Sequence, residues 1–314
     1  MKRRVMTKFV KTGFKKMNTA VSGILSSFKE EDIHEFRVEF KKIRAFLRLV
    51  QSGLKQGKKI RISGRLKKFY KNIGCIRVIQ LQRKKIIKAS NNMEGIRPEE
   101  YFSMLELEKT IYQKAAKKIM KHKKKLNKEM HSIITALPAE VKRKSISNFT
   151  EMKLSAVQKI TQQGSIPEES LHEIRKTMKD LMYNQRFIQK YSHGEEFLLA
   201  KNQDITNITM LLGDFHDTCV AINQLESDCT KLISTSSEKY LLSKLKDKWQ
   251  HEKETIKESC LYALQKNSVP VFNTTNKKGP DRNPVPLLIQ YPKKNQHKVC
   301  EDEKGSNDPV QPFY

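Results

Sequence analysis

The chain has 314 residues, and its 62 Lys and Arg against 34 Asp and Glu give a formal net charge of +28 at pH 7. A surplus of that size speaks to partners rather than to fold, and the expected partner is a polyanion: nucleic acid, an anionic membrane surface or a phosphate polymer. Five scattered cysteines (Cys75, Cys219, Cys229, Cys260, Cys300) form no C-x-x-C pair, which argues against a zinc site or disulfide framework and for reduced thiols in the cytosol.

The first segment, residues 1–17, is basic and lacks the continuous apolar run of a secretory signal. Lys2 to Lys16 would suit a membrane surface, but no stretch approaches the roughly 18 apolar residues of a membrane span. From residue 18 to 265 apolar residues recur at helical spacing and glycine is sparse, so the expected fold is all-α. The run HEFRVEFKKIRAFLRL places His34, Arg37, Lys41, Arg44 and Arg48 at steps of three and four, within one narrow helical face. Phe36, Phe40, Ile43, Phe46, Leu47 and Val50 fall opposite, the layout of a bundle helix with its apolar side buried. Like charges so spaced weaken an isolated helix by roughly 0.2–0.5 kcal/mol per pair, so a fold that keeps them is expected to meet an anion.

Gly53 and Gly57 flank a connector, after which Lys58, Arg61, Arg65 and Lys68 take up a similar step. Asn91 to Pro98 reads as a turn and helix start. Lys114, Lys117, Lys121, Lys124 and Lys128 continue the three-and-four spacing along one expected helical face, which Leu137-Pro138-Ala139 closes. Both sets are expected to line the same basic surface as the first row. Gly164 to Glu169 then opens a second basic helix, HEIRKTMKDLMYNQRF, with His172, Arg175, Lys179 and Arg186 at offsets matching the first.

The two halves share more than the rows. Gly74 and Gly213 stand at nearly the same distance beyond His34 and His172, and Arg77 and His216 follow them by three, which points to internal duplication. Gly213 is expected to bend the chain or open a turn, with Asp217 capping or pairing there. Trp249, Leu242 and Leu245 are expected to pack in the core of a last helix. Residues 266–314, rich in Pro and Asn and without period, read as an extended or disordered tail.

The duplicated pattern H-x-x-R-x-x-x-K/R-x-x-R, with a later L-G-x-x-x-D, resembles the CHAD family (conserved histidine α-helical domain). Here it is carried by His34, Arg37, Lys41 and Arg44, by His172, Arg175 and Lys179, and by Leu212, Gly213 and Asp217. The second row departs from it with Met182 where the first has Arg44. In the first half Val78 stands where the family usually has aspartate. The resemblance implies two pseudo-symmetric antiparallel four-helix bundles forming a basic cleft, with repeats over about 18–135 and 150–265. It also implies binding of inorganic polyphosphate rather than catalysis.

Polyphosphate offers oxygens along a chain but no base edge or apolar group, so a receptor needs Lys and Arg at regular spacing. The span from His34 to Arg48 is about 21 Å at 1.5 Å per residue, enough for several consecutive phosphates. Sequence-blind nucleic-acid binding is the competing expectation, although the rows lack interleaved aromatics for stacking bases. No Walker, nucleophile-elbow or H-E-x-x-H motif is present, paired carboxylates for acid–base work are not identifiable, and no metal or cofactor is expected. An enzyme of phosphate metabolism would need acidic metal-binding clusters that the sequence does not show. The cytoplasm, with polyphosphate granules as a destination, is the expected location.

Overall fold

Every regular element among the described residues of the computed structural model (1–54, 58–90, 97–121, 124–163, 166–191, 202–226 and 232–266) is a helix. In chain order these are α1 (Arg3–Ser27), α2 (Glu30–Gln51), α3 (Gly64–Ser90), α4 (Glu99–Ile119), α5 (Lys124–Ala136), α6 (Arg143–Thr161), α7 (Glu168–Tyr191), α8 (Asn202–Leu225) and α9 (Ser236–Lys266). The tail expected at 266–314 lies, from residue 267 onward, outside the described residues, as do most of the turn at 91–98 and Gly164 and Ser165.

Charge at the ends suits the helix dipole in the two helices that carry the basic rows. Helix α2 opens on Glu30, Glu31 and Asp32 and closes near Arg48; α7 opens on Glu168 and Glu169 and closes near Lys190. Between α1 and α2 the chain reverses at Phe28, whose φ of 51° is left-handed without being glycine. Its N–H bonds to the Ile24 carbonyl, its own carbonyl accepts from Gln80, and its ring is buried, so packing holds the conformation that glycine would otherwise supply.

Residues 1–17, set apart in the sequence by their charge, enter α1. Met6, Val10, Phe14 and Met17 are buried along one face while Lys8, Lys11, Lys15 and Lys16 stay exposed. The N–H of Arg3 also bonds to the Ala139 carbonyl at 2.8 Å. The apolar face read on α2 is buried as expected, with Phe36, Phe40, Ile43, Phe46, Leu47 and Val50 all in the core. Trp249, Leu242 and Leu245 are buried on α9.

Helix pairs α1–α2, α2–α3 and α3–α4 pack side by side, and so do α6–α7, α7–α8 and α8–α9. The two series meet where α2 packs on α7 and α3 on α8, while α5 lies against α1. The larger core draws on α1, α2, α5, α6 and α7, with parts of α3, α4, α8 and α9. A smaller one joins the later part of α3 to α4, α8 and α9 around Tyr101, Ile222 and Trp249.

The lysine row expected to run from 114 to 128 on one helix is broken. Helix α4 ends at Ile119, Met120 leaves helical geometry, and a separate helix begins at Lys124. Met120 and Leu126 both bury in the larger core, which a straight helix would have to reach from one continuous face. Hydrophobic burial on two sides of the break outweighs the charge periodicity.

Candidate functional site

The packing of α2 on α7 brings the leading turns of the two basic rows together. Lys41 on α2 lies within electrostatic reach of Arg175 and Lys179 on α7 as well as Arg37 on its own helix. Burial lowers its pKa to about 8, and those three cations push the same way while Asp217 opposes them. Lys179 is lowered by burial and then by Arg175, again against Asp217.

Helix α8 contributes the next layer. His216 lies beside His172, with tilted rings whose centroids are 5.1 Å apart. Burial, reinforced by Arg175, His172, Lys41 and Lys176, pushes His216 down to about 3. Burial and neighbouring cations also lower His172 (Lys176 and Arg175) and His34 (Arg77, Lys41 and Arg37). Asp217 is exposed at the surface, yet the hydration it loses to its neighbours raises its pKa, against the pull of Arg175 and Lys41. Three helices therefore converge on one strongly cationic cluster with Asp217 set within it.

Arg37 is held in place by its surroundings. Its guanidinium lies 4.6 Å from the Tyr70 ring centroid, and Nη1 donates to the Tyr70 carbonyl at 3.3 Å. Gly74, on the neighbouring turn of α3, supplies the space: a Cβ there would run into Nη1 and approach Cζ to 3.2 Å. Arg175 is held differently. Its Nε is buried and finds no hydrogen-bond acceptor among the described groups, a costly state that an incoming anion would relieve.

The remaining candidates have other immediate surroundings. Arg44 is exposed, 5.8 Å from the Phe40 ring centroid. Arg48 instead forks onto Asp180 through Nε (2.8 Å) and Nη2; Lys153 pairs with the same buried carboxylate at 2.9 Å. Arg186 stacks against Phe9 and Phe187, 4.5 and 4.6 Å from their centroids. Lys58 and Arg61 are exposed in the α2–α3 connector, and Lys68 is exposed on α3. Arg65 borders a groove with Lys128 and Glu129. Lys114 and Lys117 are exposed on α4, which packs on α3, and Lys117 reaches over the Phe28 ring; Lys121 is exposed beyond the end of α4.

Gly213, expected to open a turn, sits inside α8 with open space where a Cβ would be. The helix continues because its flanks, Leu212 and Phe215, are buried on the core side, and one helical glycine costs only about 1 kcal/mol. As a result His216 and Asp217 project from a helix face rather than a cap. Sequence reasoning missed Tyr70, which shelves Arg37, and Tyr183, whose pKa burial raises with Tyr70 and Arg175 nearby. It also missed Lys85, which reaches Thr218 and the Trp249 ring. None of the three lies in a repeated charge pattern.

The chain is thus an all-helical protein among its described residues, in which matching His/Arg/Lys turns from two helices meet in one basic cluster. The chain belongs to the CHAD domain family, whose sequence model matches residues 9–226. It is similar in fold to the solved structure of PptA from Streptomyces chartreusis, with a TM-score of 0.61 at 13% identity over 84% of this chain and 99% of that one. A comparison with curated proteins finds no match.

Proposed function

We propose that this chain is a non-enzymatic binding module for inorganic polyphosphate, centred on His34, Arg37, Lys41, His172, Arg175, Lys179 and His216. The observation that carries the reading is the convergence of the two rows at the α2–α7 contact, with the buried Arg175 Nε lacking an acceptor. Cations held this close lower one another's pKa values, and a phosphate chain would reverse that penalty at several groups at once. Membership in the CHAD family, associated with polyphosphate-related proteins, supports the same ligand. Asp217 is the carboxylate facing Lys41 and Arg175, and in this reading it positions cations rather than performing acid–base chemistry.

The recurring neighbour pairs suit two pseudo-symmetric four-helix bundles whose junction forms a basic cleft. The outlying cations Arg44, Lys58, Arg61, Arg65, Lys68, Lys114, Lys117, Lys121 and Arg186 would serve a long polymer as an outer track, while Arg48 clamps α2 to α7 through Asp180. No described helix is long and apolar enough to cross a membrane. We place the protein in the cytoplasm, where polyphosphate granules would recruit it.

The test is titration with long-chain polyphosphate at physiological salt, using the chain and its variant reversed to Glu at Arg37, Lys41, Arg175 and Lys179. Binding is expected to collapse while helical content is retained. Affinity that survives the quadruple reversal removes the site. In a competition at equal phosphate concentration, RNA or duplex DNA displacing polyphosphate would instead favour sequence-blind nucleic-acid binding.

A further inference from the structure

Helix α4 turns an apolar stripe to solvent. Leu107 is 68% exposed and Ile111 59%, one turn apart on the same face, with half-buried Met104 beside them. Among the described residues no other two exposed large apolar side chains stand one turn apart on a helix. The inner side of α4, through Tyr101, Phe102, Leu105 and Ala116, is already buried, and α3 is the helix it packs along. Leu107 and Ile111 point the other way.

Charge along α4 is graded. The first turn carries Glu99 and Glu100, and the last turns carry Lys114, Lys117 and Lys118. Glu99 and the three lysines are exposed, whereas Glu100 accepts from Ser234 and Thr235. Such a helix is complementary to itself run backwards. In an antiparallel pair with the two-fold axis level with Lys109, Leu107 of each copy lies opposite Ile111 of the other. The Glu99 end of each helix then meets the Lys117 end of its mate, and Lys114 falls opposite Ser103 and Met104 rather than another cation. A parallel pair would set acid on acid and base on base. A lipid surface or an acidic partner would call for lysines throughout, whereas this face opposes acid and base at its two ends.

We infer that the outer face of α4 is a self-association surface, on which a second copy of this chain docks antiparallel with Leu107 and Ile111 at the centre. One helix on its copy buries less than the roughly 1,200 Å² of a standard interface, so the dimer is weak, with a Kd of about 1–100 µM. At about 0.15 M salt the screening length is about 8 Å, which confines the mutual repulsion of two chains of net charge +28 while charges in contact still act. This surface is independent of the polyphosphate reading.

The experiment is sedimentation velocity of the full chain, free of polyanion, at about 0.15 M salt and protein concentrations spanning that Kd range. Dimer is expected to grow with concentration. Leu107→Ser with Ile111→Ser, both exposed positions, should weaken it at least about tenfold with melting unchanged. Glu99→Lys or Lys117→Glu alone should weaken it about threefold to tenfold. The two together exchange the charges of the two ends and should recover the original Kd to within about twofold.

A chain that stays monomeric throughout overturns the proposal and leaves the α4 face to a partner of other chemistry. A dimer indifferent to the change at Leu107 and Ile111 overturns it as well, as does a charge exchange that fails to recover the loss at unchanged melting. No arm contains polyphosphate, so failure here is distinct from failure of the central cluster, whose own test is the quadruple reversal.

Discussion

Replacing Gly74 with Ala should separate binding from stability. An Ala in the interior of a helix gains about 1 kcal/mol over Gly. Against this, the new Cβ would occupy the position of the Arg37 Nη1, and the guanidinium is the movable end of a flexible side chain, so Arg37 swings away while the backbone stays. That displacement forfeits the Tyr70 ring contact, worth about 0.5–1 kcal/mol, and one hydrogen bond of about 1 kcal/mol. The sum is a net loss of about 0.5–1 kcal/mol, so the melting temperature should move by no more than about 2–4 °C. Affinity has no such offset. Losing one charge-assisted contact to phosphate costs about 1.5–3 kcal/mol, or about ten- to 150-fold in Kd. Calorimetric titration with polyphosphate, paired with thermal melting, reads both quantities. Gly213→Ala is the control, because it gains the same helical term in open space and should leave affinity alone. In an Arg37→Ala background, Gly74→Ala should have no further effect on binding. A Gly74→Ala protein that melts normally and binds normally would refute the claim that docked Arg37 contacts the ligand.

Two other outcomes follow from the same geometry. Asp180→Ala leaves Arg48 and Lys153 without their shared carboxylate and should destabilise the chain by roughly 1–3 kcal/mol in urea unfolding, with polyphosphate affinity changed little; a large loss of affinity at unchanged stability would place Asp180 in the binding apparatus instead. The depressed pKa of Lys41, about 8 against an ordinary 10.5, means the unfolded chain holds more protons than the folded one between those values. The stability it contributes is therefore complete above pH 10.5 and lost as pH falls through about 8; phosphate binding should raise the pKa again, so titrations at pH 8.5 in two non-phosphate buffers of different ionisation enthalpy should reveal proton uptake, which Lys41→Met removes.

The helices and the buried face of α2 were legible because one side of α2 packs and the other does not, so burial stamps a single period on the sequence. The leading turns of the two rows could be found for the same reason. Helix α3 was harder: it packs on α2, α4 and α8, so Ile73, Ile76, Ile79 and Ile86 are buried and its amphipathic signal is weak. Charge spacing alone could not tell Lys41 from Arg48. Both lie on one stripe of α2, and only the acid brought by α7 turns Arg48 into a structural clamp. Nor could it show that Gly74 makes room for a side chain from another helix, because that requirement exists only after α2 and α3 have packed.

The distribution of acids explains why this surplus of charge is compatible with a stable fold. Where helices must be held together, one carboxylate serves two cations. Glu30 takes Arg77 and Lys84, Glu39 takes Lys42 and Lys16, Asp180 takes Arg48 and Lys153, and Glu168 takes Lys253 and Lys257. The part-exposed bridges at Glu168 add little individually, whereas buried Asp180 and Glu39 tie their cations more firmly; each removes a repulsion that would otherwise oppose packing. At the α2–α7 junction the pattern changes. Lys41 and Lys179 lie near Arg175 and Asp217, with His172 and His216 beside them; burial lowers the pKa values of both lysines and both histidines, and neighbouring cations lower them further. In the polyphosphate reading, an external anion would relieve the excess of cation over carboxylate that remains around Lys41, Arg175 and Lys179. The ligand should then stabilise the fold by linkage, more strongly as its concentration rises above Kd.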